Sequence, residues 1–177
     1  MPSSLRVAHC SDIHLDGDSY RDDKPGPDWF QDSFARALAA IRTHRPDLML
    51  LAGDLFDSNA APEDTIRWSM DILAAQPFPI VMIPGNHDCM AEDAIYHRYD
   101  FNSIRNVRML AAEQGEIARL DDLGVAVWGK GMVEHDPAYF PLAGCPARPE
   151  GCRWYLGMGH GIHVPHDGST GRSSPIH

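Results

Sequence analysis

The sequence predicts an α/β fold built on a parallel sheet, and three observations support that expectation. Leu48-Met49-Leu50-Leu51-Ala52 and Pro79-Ile80-Val81-Met82-Ile83 are continuous apolar runs of strand length, as expected for strands covered on both faces. Each is preceded by a segment whose apolar residues recur at helical spacing. Pro46 and Pro84-Gly85 punctuate the pattern where one element must stop and the next begin. Two β-α-β units in succession imply a parallel sheet with right-handed crossovers.

In chain order, Leu5 to Cys10 reads as a short strand ending at Ser11-Asp12. A polar loop rich in Gly, Pro and Asp follows, from about Asp16 to Pro27. Asp28 is placed to cap a helix, with Gln31 three residues on as in a capping box. Phe30, Phe34, Ala37, Leu38 and Ile41 form its buried stripe, and Pro46 ends it near Arg45. In the second helix, Pro62 suits the first helical position, Glu63 and Asp64 the acidic first turn, and Ile66, Met70 and Leu73 the core.

The second half is less regular. Asn106 to Leu110 is a candidate strand, and Glu116 to Leu120 with Val125 to Trp128 resembles a hairpin closed by Asp121-Asp122-Leu123-Gly124. A stretch rich in Pro, Gly and Cys runs from about Pro137 to Cys152. Arg153 to Met158 then reads as a strand entering Gly159-His160-Gly161. No element is expected in the last dozen residues.

A chain of 177 residues, 44% hydrophobic and 23% charged, fits a single soluble globular domain that buries a core without disulfides. Cys10, Cys89, Cys145 and Cys152 form no C-x-x-C pair and read as reduced thiols, Cys10 and Cys89 as small residues packed beside the motifs. No run approaches the ~18–20 apolar residues of a membrane span. The N-terminus lacks a secretory signal pattern, so a cytoplasmic location with no membrane partner is expected. The formal charge of −10 argues against a broad basic surface for gripping phosphate backbones. It does not exclude a phosphate-containing substrate, because bound divalent cations supply positive charge locally.

Three polar clusters stand directly after the first three strands: Asp12-Ile13-His14, Gly53-Asp54-Leu55-Phe56-Asp57 and Gly85-Asn86-His87-Asp88. Loops at the carboxyl ends of parallel strands gather on one edge of the sheet, where ligands bind. Singly, each cluster is also what a turn or a helix cap uses; together they point to metal. Two divalent ions ~3.5–4 Å apart can clamp a phosphoryl group and activate water. Such a pair needs one carboxylate able to bridge, and Asp54 occupies the middle position. Each ion also needs terminal donors, a carboxylate and imidazole on one side, an amide oxygen and imidazole on the other. Mixed oxygen and nitrogen ligation suits Mn, Fe or Zn better than Ca.

In this order, D-x-H, G-D-x-x-D and G-N-H-D resemble the calcineurin-like metallophosphoesterase superfamily. The form Gly53-Asp54-Leu55-Phe56-Asp57 is most similar to its DNA repair exonuclease branch, the nuclease subunits of double-strand-break repair complexes. The resemblance implies a metallophosphoesterase-type αββα sandwich and a two-metal phosphoesterase, with Mn favoured and Fe or Zn as alternatives. It implies that Asp12 and His14 ligate the first metal, Asp54 bridges, and Asn86 ligates the second. His87 would face the substrate as a catalytic group, with Asp88 orienting it and Asp57 supporting the site from behind the ligands or capping its loop. Tyr155-Leu156-Gly157-Met158-Gly159-His160-Gly161 fits the family's fourth motif and makes His160 a second-metal ligand.

The fifth motif, G-H-x-H, has no counterpart: two residues separate His160 from His163, and His166 and His177 do not reproduce it. The expectation is therefore one metallophosphoesterase domain over residues 1–177, shortened at its C-terminus, with an incomplete second sheet. The branch implies DNA as substrate and an ATPase partner subunit. A small-substrate phosphodiesterase or phosphatase, and a non-catalytic fragment, are the alternatives. Trp29, Trp68, Trp128 and Trp154 are expected to pack in the core or at its rim, not to stack bases.

Overall fold

The computed structural model describes residues 4–17, 29–134, 139–163 and 174–176. The Asp28 cap, most of the loop before it, His166 and His177 lie outside the described residues.

Four strands, β1 (Val7–Cys10), β2 (Leu48–Ala52), β3 (Ile80–Ile83) and β4 (Val107–Met109), form one parallel sheet in chain order. Helices α1 (Trp29–Thr43) and α2 (Glu63–Ala74) connect the first three, and a four-residue helix α3 (Ile95–Arg98) lies between β3 and β4. A second sheet holds β5 (Glu116–Leu120), β6 (Val125–Gly129) and β7 (Trp154–Gly157), β6 being antiparallel to β5 and parallel to β7.

Alternation along β2 and β3 explains why every position there is apolar. Met49, Leu51, Ile80 and Met82 join one buried cluster with Phe34 and Leu38 of α1, Ile66 and Leu73 of α2, and Ile95 of α3. Leu48, Leu50, Ala52, Val81 and Ile83 point the other way, into a second cluster with Ala118, Val125 and Val127 of the second sheet. Side chains of opposite parity on one strand thus fill two different layers. All three helices lie on the first side. The outer face of the second sheet is met instead by the irregular segment 139–153: Arg119 donates to the Glu150 carbonyl at 3.3 Å, and Cys145 Sγ lies 3.4 Å from the Tyr155 hydroxyl. Among the described residues, the outer helix layer of an αββα sandwich is not formed. No described helix is long and apolar enough to cross a membrane.

The element boundaries differ from expectation in small ways with clear causes. Pro62 (φ −59°, ψ 143°) is the residue before α2, not its first turn, because its ψ is extended. The first strand starts at Val7, two residues late, since Arg6 spends its N–H on the Asp47 carboxylate. Gly124, at φ +64°, closes the β5–β6 hairpin behind a 3-10 turn over Asp121–Leu123. Not foreseen were α3, a 3-10 turn over Phe101–Ser103, and a two-residue pairing of β8 (Ile162–His163) with β9 (Pro175–Ile176). Of the tryptophans, Trp128 is buried, and Trp68 and Trp154 pack against the two clusters. Trp29 is the exception, 47% exposed and edge-to-face on Phe30.

Leu38 is fully buried beneath α1. Leu38→Ala is expected to lower unfolding free energy by about 2–5 kcal/mol, read from the urea midpoint at unchanged slope.

Candidate metal centre

The three polar motifs leave the carboxyl ends of β1, β2 and β3, and backbone hydrogen bonds lace the first to the second. Asp12 N donates to Gly53 O at 3.1 Å, Ile13 N and His14 N both reach Asp54 O, and Leu15 N donates to Leu55 O at 3.0 Å. Asp12, His14 and Asp54 sit at φ +55°, +51° and +53°, and only one other described residue besides glycine, Arg45, has positive φ. Strain of this kind concentrates where surrounding structure must aim a side chain. Gly53 and Gly85 allow close approach: a Cβ on Gly53 would overlap the His160 ring, and one on Gly85 would overlap the Asp54 carboxylate.

Asp54, 2% exposed, lies at the centre. Donor atoms of Asp12, Asp54 and His160 fall within 4.8 Å of one another, and so do those of His14, Asp54 and His87. Asp54 thus belongs to two donor groups. The expected pairing of Asp12 with His14 is not how the donors group here: Asp12 lies with His160, and His14 with His87. His160 is also 3.0 Å from Asn86 Oδ1 through Nε2.

His160 shows how well this place suits a cation. Its Nδ1 is 2.8 Å from the Ala52 carbonyl, which can only accept, so Nδ1 carries hydrogen. Its Nε2 faces Asn86 Oδ1 and, at 3.2 Å, Asp54 Oδ2, two further oxygens arranged to accept. Burial alone would lower the imidazole's pKa, but the hydrogen bond and charge of Asp54 outweigh it and raise the value to about 9. For Asp54, burial raises the pKa, and the His160 and His87 contacts more than reverse it, leaving the carboxyl below its ordinary value. These oxygens and the imidazole form a donor set that could hold a metal ion. The oxygen and imidazole donor set fits a borderline divalent ion.

This pair implies a pH dependence in the metal-free protein. His160 has a raised folded pKa, so its contribution is complete below its ordinary value of 6.5 and is lost as pH rises through about 9. Asp54 has a lowered one, so its contribution is present above 3.8 and is lost on further acidification. The melting temperature in chelator is expected to fall between pH 6.5 and 9, and His160→Gln to flatten that fall.

His87 is aimed differently. Its ring is 38% exposed and stands edge-to-face to His14 at 4.8 Å. Nδ1 is 2.8 Å from the Asp57 carbonyl and 3.5 Å from Asp57 Oδ1, which leaves Nε2 as the ring nitrogen that Asp57 does not engage. Asp57 Oδ1 also lies 2.8 Å from His14 Nδ1, close enough for a charge contact though not aligned as a hydrogen bond. One carboxylate therefore touches both imidazoles.

The expected role of Asp88 needs correction. It does not orient His87. Its carboxylate is buried beneath the loops and accepts from the backbone N–H groups of Asp54, Leu55, Phe56 and Gly85 and from Tyr96. Asp57 is the group beside His87 instead. Asp16 was also missed: its Oδ1 accepts the Asp57 N–H at 2.7 Å and so fixes the loop that carries Asp57. The only sequence signal for it was a carboxylate two residues past His14. His163, on β8, belongs to neither donor group.

A family model described as calcineurin-like phosphoesterase matches residues 5–155. A DNA double-strand break repair protein Mre11 from Methanococcus maripaludis is 34% identical over 87 residues, covering 48% of this chain and 23% of the relative. A subunit of the nuclease SbcCD from Staphylococcus saprophyticus is 32% identical over 92 residues, with 48% and 23% covered. A probable cyclic nucleotide phosphodiesterase from Moraxella catarrhalis is 32% identical over 96 residues, with 52% and 31% covered. The chain thus spans less than a third of the length of each of these relatives.

Proposed function

This chain belongs to the calcineurin-like phosphoesterase family, and from that premise we propose that it hydrolyses phosphodiester bonds at a pair of divalent cations, as a DNA exonuclease-like hydrolase. The observation that supports this most is that Asp54 belongs to both donor groups, the position a bridging carboxylate needs. Asp12, His14, Asn86 and His160 would be the terminal ligands, with Mn favoured and Fe or Zn as alternatives. When bound, such a pair supplies Lewis-acid polarisation of a phosphoryl group and activation of water.

The protein's own part is positioning and proton transfer. His87 Nδ1 is held on the Asp57 carbonyl, which leaves Nε2 as the nitrogen able to exchange a proton with the leaving oxygen. The Asp57 carboxylate lies near both imidazoles and helps hold the His87 ring in place.

DNA as substrate belongs to this reading through the nuclease relatives, and a partner ATPase subunit through the resemblance carried by the motif form. A chain of net charge −10 grips a polyanion poorly, which suits a partner that supplies basic surface. A small-substrate phosphodiesterase is the second reading, favoured by the likeness to the probable cyclic nucleotide phosphodiesterase.

Mn-dependent hydrolysis of bis-p-nitrophenyl phosphate by the 177-residue chain, followed by trials with DNA ends and a cyclic nucleotide, tests these readings. Turnover of DNA supports the first and of the cyclic nucleotide the second. No hydrolysis of any diester with Mn, Fe or Zn would leave a non-catalytic domain as the answer.

A further inference from the structure

We propose that Tyr96, on the short helix α3, is a positioning residue for the metal centre: its hydroxyl, bonded to the buried Asp88 carboxylate, fixes the two loops that bring Asp54 and Asn86 together. The inference rests on the reading that the site holds two ions.

Asp88 is fully buried, and its two oxygens collect N–H groups from both loops. Oδ1 accepts from Gly85 N at 2.7 Å and Asp54 N at 3.3 Å; Oδ2 accepts from Leu55 N at 2.9 Å and Phe56 N at 3.3 Å. The β2 and β3 loops are therefore held to one another through a single carboxylate. Any rotation of that group moves Asp54 relative to Asn86.

The fifth and shortest bond is the Tyr96 hydroxyl to Oδ2, at 2.6 Å. A short O–H···O⁻ bond is among the stronger ones, and here it sets the carboxylate's rotation. Burial, with the Asp88 charge beside it, pushes the phenol well above its ordinary pKa, so the hydroxyl stays a donor.

Helix α3 is anchored for this task at both ends. Ile95 N donates to Asn59 Oδ1 at 3.1 Å, and Arg98 donates to the Asn59 carbonyl at 2.6 Å. Asn59 in turn donates to the Cys89 carbonyl at 2.9 Å, just past the third motif. The Tyr96 ring has its own packing, 5.2 Å from Phe101 and 6.3 Å from Phe56 between centroids. Ring and hydroxyl can therefore be tested separately.

The experiment uses the full chain with Tyr96→Phe, which deletes the hydroxyl and keeps the ring, and with Phe101→Leu, which disturbs the ring packing and keeps the hydroxyl. Mn²⁺ binding is measured by the paramagnetic resonance signal of the free ion, and melting is measured in chelator. Tyr96→Phe is expected to weaken Mn²⁺ binding about tenfold, the usual effect of removing a group that orients ligands, with melting lowered by no more than a few degrees. Its hydrolysis of bis-p-nitrophenyl phosphate should recover in excess Mn²⁺ at unchanged KM. Phe101→Leu should lower melting and leave Mn²⁺ affinity in place. Unchanged Mn²⁺ affinity in Tyr96→Phe overturns the inference, as does equal weakening in Phe101→Leu. A wild-type chain that binds no Mn²⁺ overturns the two-metal reading and this inference with it.

Discussion

Asp54→Asn is expected to remove both ions together and to reduce turnover by about a thousandfold or more, since bridging and charge stabilisation are lost at once. Asparagine matches aspartate in size and tolerates the left-handed backbone at φ +53°, so the fold should survive. What changes is charge and donor pattern. Asp54 Oδ1 accepts the His87 N–H at 2.9 Å, and Oδ2 lies 3.2 Å from His160 Nε2. An amide keeps the shape but removes the anion that draws a cation there and that raises the His160 pKa. Metal content by mass spectrometry and Mn²⁺ binding provide the check. Two tightly held ions in Asp54→Asn would sink the bridging assignment.

His87→Ala is expected to keep the metal content and lose about 10²–10⁴-fold in turnover, the range for a general acid. Its half-exposed ring spends Nδ1 on the Asp57 carbonyl, which suits a group that faces substrate. The same ring is one of the three donors around His14 and Asp54, and that gives the test its edge. Loss of one ion per chain in His87→Ala would make it a ligand and leave the proton donor to be found elsewhere.

The parts of the molecule that could be read from the sequence are those where local chemistry and position coincide. The apolar runs at Leu48–Ala52 and Ile80–Ile83 announce doubly covered strands because both parities are buried. The motifs after β1, β2 and β3 converge because parallel strands end on one edge. Groups that act through the third dimension were not legible. Asp88 looked like a partner for its neighbour His87, yet its oxygens bond backbone 32 to 34 residues away and a tyrosine eight residues on. Asp57 sits near two imidazoles on a loop that Asp16 holds from 41 residues away. Helix α3 is a single turn, too short for any periodic signal, and β8 and β9 have two residues each.

The left-handed backbone at Asp12, His14 and Asp54 has a consequence for how such a site can be lost. Each of the three side chains holds its residue in a conformation that glycine adopts freely, at a cost of about 1 kcal/mol apiece. A lineage released from selection for the chemistry would therefore find glycine at positions 12 and 14 among its easiest routes to a sturdier fold, whereas glycine at 54 would forfeit the contacts of Asp54 with His87 and His160. Decay of the function would leave a recognisable trace: glycines where the first acid and the imidazole beside it stood, in a chain that resists heat better than its active ancestor.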